Sequence, residues 1–555
     1  MIKKIFIFCF TLLISNSIFS QNNFRNTDTN FPKEKVFLHT NTNFFITGEQ
    51  ILYSIYCLDS KKNIISELSK IAYVEIINSD NISIYKQKIS LKDGKGYGDI
   101  FLKSSLKTGT YKLISYTQWM RNEQSFFEET IFIVNPFSNK LVLADSIKKN
   151  NFNVSSFKNT NNLKINFSKN NYSKREKIEL DLKDYNQSNI SISVRKTDNI
   201  SLPKKTNSSK FINEYYLPKK NSNKIYLPEL RGELVEGKIT SDNNNVGNKK
   251  IGISFIGENK ITKISSTNST GNFYFNVNKN YSSDNVIIQV LEETNNNYNI
   301  ELINPKLEKR FSDFEPLYLT EDLRKLIKEK SKYIQIENAY SSVKKTESKT
   351  PTNNTFVFNK NTNKVVYNLD DFTRFKTVKE VAVEILQDVW LSKNDDKYTF
   401  KLRDINLASS NTLSTLLIVD GFLVLNHNDF VDFDALKIKT IEVIKEKYYY
   451  GSNLYQGILN IETFKNAYTP RLNTSKQFTL LKPQKEKIYF HPDYSNSQSK
   501  NIPDLRTQLY WNPNVNNPKS LSFFTSDILG NYKIEIQGFT KKGKPIYKEV
   551  LFTVK

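Results

Sequence analysis

Between residues 34 and 135, apolar and polar side chains alternate in short runs: EKVFLHT, QILYSIYCL, IAYVEII, ISIYKQKISL, GDIFLK, GTYKLISYTQW and ETIFIV. Turn residues (Gly48, Asp59, Ser79–Asn81, Asp93–Gly98, Gly109) separate them at intervals of roughly 10–15 positions. A period of two puts the apolar residues of each run on one face of a strand, and such strands bury that face only by packing sheet on sheet. The pattern predicts an antiparallel sandwich. Aromatic residues make up 13% of the 555 residues, with 38 Phe and 30 Tyr, enough for several such cores. At roughly 100–200 residues per domain, that length predicts three to five domains. With only 17 Gly and 15 Pro, a collagen-like chain and a long Pro-rich linker are both excluded.

Within those strands the order of residues is specific. Glu34-Lys35-Val36-Phe37-Leu38-His39-Thr40 is followed by Phe45-Ile46-Thr47-Gly48-Glu49, Tyr73-Val74-Glu75, Gly96-Tyr97-Gly98 and Gly109-Thr110-Tyr111. The series ends in Tyr116-Thr117-Gln118-Trp119-Met120-Arg121-Asn122 and Asn135-Pro136-Phe137. Over residues 34–137 it resembles a macroglobulin-type MG2 domain, in the version found in exported Gram-negative envelope proteins. A second alternating stretch, residues 160–205, carries Tyr172-x-x-Arg175-Glu176-x-Ile178 and resembles the start of another MG-type sandwich. Residues 206–224 read as an irregular crossing.

Residues 230–292 run from Arg231-Gly232 through Val235-Glu236-Gly237-Lys238-Ile239 to Gly271-Asn272-Phe273-Tyr274-Phe275. This strand, turn and Gly-x-Phe-x-Phe strand resemble the regulatory-like domain of carboxypeptidase D. That resemblance implies a seven-stranded transthyretin-like (Ig-like) sandwich with neither a zinc site nor a nucleophile. Glu321–Tyr340 predicts a helix with Leu323, Leu326, Ile327, Ile334 and Ile336 along its apolar face. Polar residues 341–365 read as a linker.

In residues 366–465 a short helix opening at Phe375-Lys376-Thr377-Val378 precedes Val419-Asp420-Gly421, Ile438-Lys439-Thr440-Ile441-Glu442-Val443 and Tyr450-Gly451. The series resembles the plug domain of TonB-dependent outer-membrane receptors, a small α+β unit. A receptor plug is followed by a barrel of 22 strands. Transmembrane strands take about 9–11 residues each, and residues 466–555 cannot supply them. They predict one more Ig-like β module, and the chain is not expected to be a transporter on its own.

Lys and Arg exceed Asp and Glu to give a net charge of +23. The Lys residues are scattered among Asn and Ser and mark no basic helix face, so nucleic acid is not an expected partner. Residues 1–20 read as a signal peptide: Lys3 and Lys4 precede the ten apolar residues Ile5–Ile14, too short a run to span a bilayer. No Cys lies just after that run, which argues against lipid attachment there. Cys9 lies in the signal, leaving Cys57 as the only mature cysteine and no internal disulfide. No membrane span is expected in the rest of the chain.

The inventory predicts no catalytic, metal or cofactor residues. Cys57 lies in Tyr56-Cys57-Leu58-Asp59, unlike the Cys-Gly-Glu-Gln thioester of protease-trapping macroglobulins. His39, His427 and His491 are isolated, with no His-Glu-x-x-His spacing for zinc. No Gly-x-Ser-x-Gly elbow is present. Asp388, Asp395 and Asp396 lack the alternating spacing of a calcium loop, and Gly94–Gly98 lacks the Gly-Lys-Ser/Thr close of a phosphate loop.

Two aromatic groups are candidate partner contacts: Trp119 with Arg121 at the end of a strand, and Tyr448, Tyr449 and Tyr450 before the Gly451 turn. The plainer account of both is core packing beside a turn. The expected protein is mainly β, tandem sandwiches plus a small α+β plug-like unit. Its expected role is that of a non-catalytic, exported accessory subunit on an outer-membrane barrel partner or transport complex, at the periplasmic or cell-surface side. The alternative is a surface protein that binds glycans or proteins in adhesion or nutrient capture.

Overall fold

The computed structural model describes residues 32–137, 164–183, 188–198, 205–215, 225–242, 245–255, 261–278, 281, 283–291, 298–304, 306–314, 317, 320–349, 364–403, 413–450, 453–469, 475–495, 501–515 and 521–555. The signal at 1–20 lies outside them, as do parts of the crossing at 206–224 and of the linker at 341–365.

The alternating runs of residues 34–134 form two facing sheets. Glu34–Thr40, Gln50–Asp59 and Lys95–Phe101 make a three-stranded sheet in register Val36↔Cys57 and Ser54↔Tyr97. Phe44–Ile46, Phe127–Val134, Gly109–Tyr116, Ile71–Ile77 and Ser83–Ser90 make a five-stranded one. Between them lie Val36, Ile55, Cys57, Val74, Leu113 and Ile131. Strand Glu34–Thr40 is buried along its whole length, although simple alternation predicts one wet face. A second layer covers that face: Phe37 meets Phe211 at 5.3 Å and Phe539 at 5.6 Å between ring centres.

The structure departs from a separate sandwich at 160–205 and a separate module at 466–555. These two segments form one discontinuous sandwich. Strand Ser188–Lys196 lies between Gly530–Thr540 and Gln508–Asn512, with Ile192 opposite Ile536, and Lys177–Lys183 pairs with Leu521–Phe524. The reason is burial: Ile178, Leu180, Ile190, Ile192 and Val194 share a core with Tyr532, Ile534, Ile536 and Phe552. The few strands at 164–196 have no cover of their own for that apolar face.

The third sandwich pairs a three-stranded sheet (Asn272–Val277, Glu233–Thr240, Asn299–Leu302) with a four-stranded one (Ile261–Ser266, Lys250–Phe255, Asn285–Val290, Ser475–Thr479). Its last strand comes from beyond the plug-like segment, so the unit extends past 230–292. Residues 341–349 are not wholly linker, because Glu347–Ser348 pairs with Lys487–Ile488.

The plug-like segment folds as a five-stranded sheet in the order Lys364–Asn368, Ile438–Tyr450, Asn453–Thr463, Leu416–Val419, Phe422–Leu423. The sheet starts inside the expected linker. The short helix Val378–Glu384 is capped by Thr377, whose side chain accepts from the Glu380 backbone while Glu380 reaches back. Asp420 (φ 51°) and Gly421 (φ 81°) form the two-residue turn between Leu416–Val419 and Phe422–Leu423, the left-handed geometry that Asp-Gly favours. Asp420 is buried there and accepts from the Thr463 backbone N–H at 2.9 Å.

Helix Glu321–Ala339 lies on the edge of the first sandwich. Leu323 and Ile327 bury against Phe44, Ile46, Phe132 and Val134, while Ile336 stays exposed. Thr320 caps the helix, and Glu321 and Asp322 occupy its positive first turn. Among the described residues no helix is long and apolar enough to cross a membrane.

Candidate functional site

A Ser–His–Glu set that no sequence spacing announced lies at the seam between the first and the discontinuous sandwich. His39 Nδ1 is 2.6 Å from Ser191 Oγ, and His39 Nε2 is 3.3 Å from Glu535 Oε1. The Tyr56 hydroxyl donates to Ser191 Oγ at 2.8 Å. Lys205 and Lys533 lie 2.7 and 3.0 Å from Glu535 carboxylate oxygens. Burial alone would raise the Glu535 carboxyl, but Lys205 and Lys533 hold it well below the usual carboxylate range. Burial pushes the His39 imidazole down to about 4, so it is neutral at physiological pH.

Protonation state is therefore no obstacle to base chemistry here; access is. His39, Ser191 and Glu535 are all essentially inaccessible to solvent. Ser191 is in mid-strand, laddered on one side to Gly530–Thr540, with Gln508–Asn512 on the other side of its strand. Such ladders use the backbone N–H groups that would otherwise serve as oxyanion donors. The arrangement is a hydrogen-bonded dowel between domains. Cys57 is equally enclosed, and burial beside Glu34 pushes its thiol well up, away from a nucleophilic thiolate. Among the described residues no three His, Cys, Asp or Glu side chains gather as metal ligands.

The aromatic candidates separate. Arg121 is buried and faces inward, which corrects the expectation of a partner contact. Its guanidinium lies 4.0 Å from the centre of the Tyr226 ring and donates to the Lys306 carbonyl at 2.9 Å. The neighbouring Trp119 donates its indole N–H to the Pro32 carbonyl at 2.8 Å. Both tie the 3₁₀ turn Trp119–Asn122 into the chain. Tyr450 is buried, and half-buried Tyr448 packs in the same cluster with Ile264 and Leu291 of the third sandwich. Strand alternation leaves Tyr449 pointing outward, 72% exposed.

A surface that sequence reasoning missed lies on the same sheet. Strand Lys364–Asn368 is its outermost strand, and among the described residues only Ile438–Tyr450 pairs with it. Val365 and Val366 are 42% and 55% exposed there, and Phe372 just beyond is also exposed. The signal was legible in principle, since Lys364-Val365-Val366-Tyr367 is a β-branched run. The polar residues before it concealed it.

No family model and no curated protein matches the chain. Among solved structures it is similar to trypsin-activated alpha-2-macroglobulin from Escherichia coli at 9% identity and a TM-score of 0.16, covering 94% of this chain and 23% of that one. The Escherichia coli alpha-2-macroglobulin activated by porcine elastase gives 8% identity and a TM-score of 0.23, covering 94% and 44%. Dimeric latent PorU from Porphyromonas gingivalis gives 10% identity and 0.16, covering 49% and 33%. The chain thus spans less than half the length of these macroglobulins. The sheets themselves make it a mainly β protein.

Proposed function

We propose that this chain is a non-catalytic, exported envelope protein that docks as an accessory subunit on an outer-membrane protein, with the plug-like unit supplying the contact by strand addition. The observation that carries this reading is the edge at Lys364–Asn368, paired on one side only among the described residues, with adjacent Val365 and Val366 both exposed. An unprotected edge strand is a ready template for pairing, and folds blunt such edges unless a partner uses them. The enclosure of the Ser191–His39–Glu535 set at a domain seam supports the non-catalytic part. The signal-like residues 1–20 support export.

The test is purification of a C-terminally tagged copy from its native envelope in mild detergent, with mass spectrometry of what accompanies it. A stoichiometric outer-membrane barrel is expected, and the Val365→Lys/Val366→Lys variant should lose it while keeping its thermal midpoint. A solitary protein in the soluble fraction would overturn the reading.

A further inference from the structure

Two turns from opposite ends of the chain meet where the first sandwich abuts the discontinuous one. The turn at 59–63 follows strand Gln50–Asp59 and is closed by the Asn63 N–H, which donates to the Asp59 carbonyl at 3.0 Å. The turn at 540–544 joins strands Gly530–Thr540 and Pro545–Val554, and there the Gly543 N–H donates to the Thr540 carbonyl at 2.9 Å. Their backbones touch. Gly543 has φ 78°, and a Cβ on it would meet the Lys62 carbonyl oxygen at 2.6 Å, so a glycine is what lets the two turns close up.

The contact gathers Lys61, Lys62, Lys541, Lys542 and Lys544, all of them exposed. Among the described residues no carboxylate forms an ion pair with any of these lysines. Their neighbours are matched. Lys33, whose carbonyl accepts from the Ser60 N–H, lies 3.3 Å from Glu123, and Lys533 on strand Gly530–Thr540 lies 2.6 Å from Glu549. Asp59, the one carboxylate within the two turns, is spent on the backbone: it accepts from the N–H groups of Lys61 and Lys62 at 2.9 and 2.8 Å. Like charges held together without counter-charges repel one another, and an anionic surface laid over them relieves that repulsion.

The residue types decide between anionic partners. Residues 59–63 (DSKKN) and 540–544 (TKKGK) carry no aromatic ring on which a nucleic-acid base could stack. They carry no apolar anchor for a protein interface and no arginine fork for one chosen phosphate. What they offer is ammonium point charges on flexible stems, which answer to charge density rather than shape. Phosphates spread over a lipid surface supply that density, and clustered lysines bind such surfaces without inserting into them. We propose that the two turns together form a docking patch for an anionic phospholipid surface. The inference is independent of partner docking at Lys364–Asn368, which lies on another unit.

The test is flotation with vesicles of phosphatidylglycerol and phosphatidylcholine in equal parts, against vesicles of phosphatidylcholine alone, at physiological ionic strength. The chain is used from Gln21 onward, so that the apolar run Ile5–Ile14 plays no part. Binding to the anionic vesicles alone, weakening as salt is raised, is expected. Each lysine near such a surface strengthens binding by roughly fivefold. Lys61→Gln/Lys62→Gln should therefore weaken it by roughly twentyfold and Lys541→Gln/Lys542→Gln/Lys544→Gln by roughly a hundredfold, with thermal midpoints unchanged. Lys325→Gln/Lys328→Gln/Lys332→Gln removes exposed charge from helix Glu321–Ala339, which abuts Gly48 at the far end of strand Gln50–Asp59, and should bind like the parent. The proposal fails if the anionic vesicles do not bind the parent, or if the helix variant weakens binding as much as the turn variants. It fails equally if single-stranded DNA or polyglutamate binds through the same lysines more tightly than the vesicles do.

Discussion

His39 and Ser191, 152 residues apart in the chain, approach to 2.6 Å between Nδ1 and Oγ at a seam closed to solvent. The contact joins the first strand of one sandwich to a central strand of another. It resembles a catalytic pair in composition and a dowel in placement. Buried polar networks of this kind contribute most by penalising their own disruption.

That distinction has a direct test. His39→Leu removes the ring but leaves Ser191 and Glu535 buried, so it should destabilise the fold by about 2–4 kcal/mol in urea unfolding. Ser191→Ala should cost about 1–3 kcal/mol, because it leaves His39 Nδ1 buried without a partner. The parent protein should not react with a fluorophosphonate probe under native conditions. Labelling at Ser191 would show that the seam opens.

Stability should peak near pH 6.5. Burial lowers His39, His427 and His491 from 6.5 to about 4, so between these values the unfolded chain binds more protons and stability falls as pH drops. Burial raises the carboxyl of Glu129 to about 7 and that of Glu229 to about 8. Above 4.5 the folded chain then holds more protons at these two sites, so their contribution is lost as pH rises through those values. From 4.5 to 6.5 the three histidines outweigh the two carboxyls. From 6.5 to about 8 the carboxyls set the slope, each at about 1.4 kcal/mol per pH unit until its own value is passed. Unfolding at a series of pH values measures this, and Glu129→Gln with Glu229→Gln should flatten the alkaline limb.

Arg121→Ala should destabilise the protein by about 2–4 kcal/mol, because the cation packs on Tyr226 and holds the Lys306 carbonyl. Arg121→Lys should recover little, since an ammonium lacks the planar face and the fork. Thermal midpoints of the two variants decide it.

A fragment ending at residue 205 should keep hydrogen-exchange protection in strands such as Gln50–Asp59 and lose it across Ser188–Lys196. Both neighbours of that last strand come from 508–540. Adding residues 501–555 in trans should restore protection there. Protected amides at 188–196 in the fragment alone would contradict the discontinuous sandwich.

Much of the local structure is written in short stretches of residues. The two-residue alternation of Gln50–Asp59 and Gly109–Tyr116, the Thr377–Glu380 capping box, the Asp420-Gly421 turn and the Thr320 cap all depend on neighbours within a few positions. They place the mainly β class, the first sandwich and the plug-like sheet. Alternation reports which face of a strand is apolar, but not which other strand covers it. The pairing of Ser188–Lys196 with Gly530–Thr540, the burial of both faces of Glu34–Thr40, and the convergence of His39, Ser191 and Glu535 were therefore decided only in three dimensions. Strands with similar apolar faces are nearly interchangeable in one dimension. Burial of Ile192 against Tyr532, Ile534 and Ile536 selects among them only once the whole chain has collapsed.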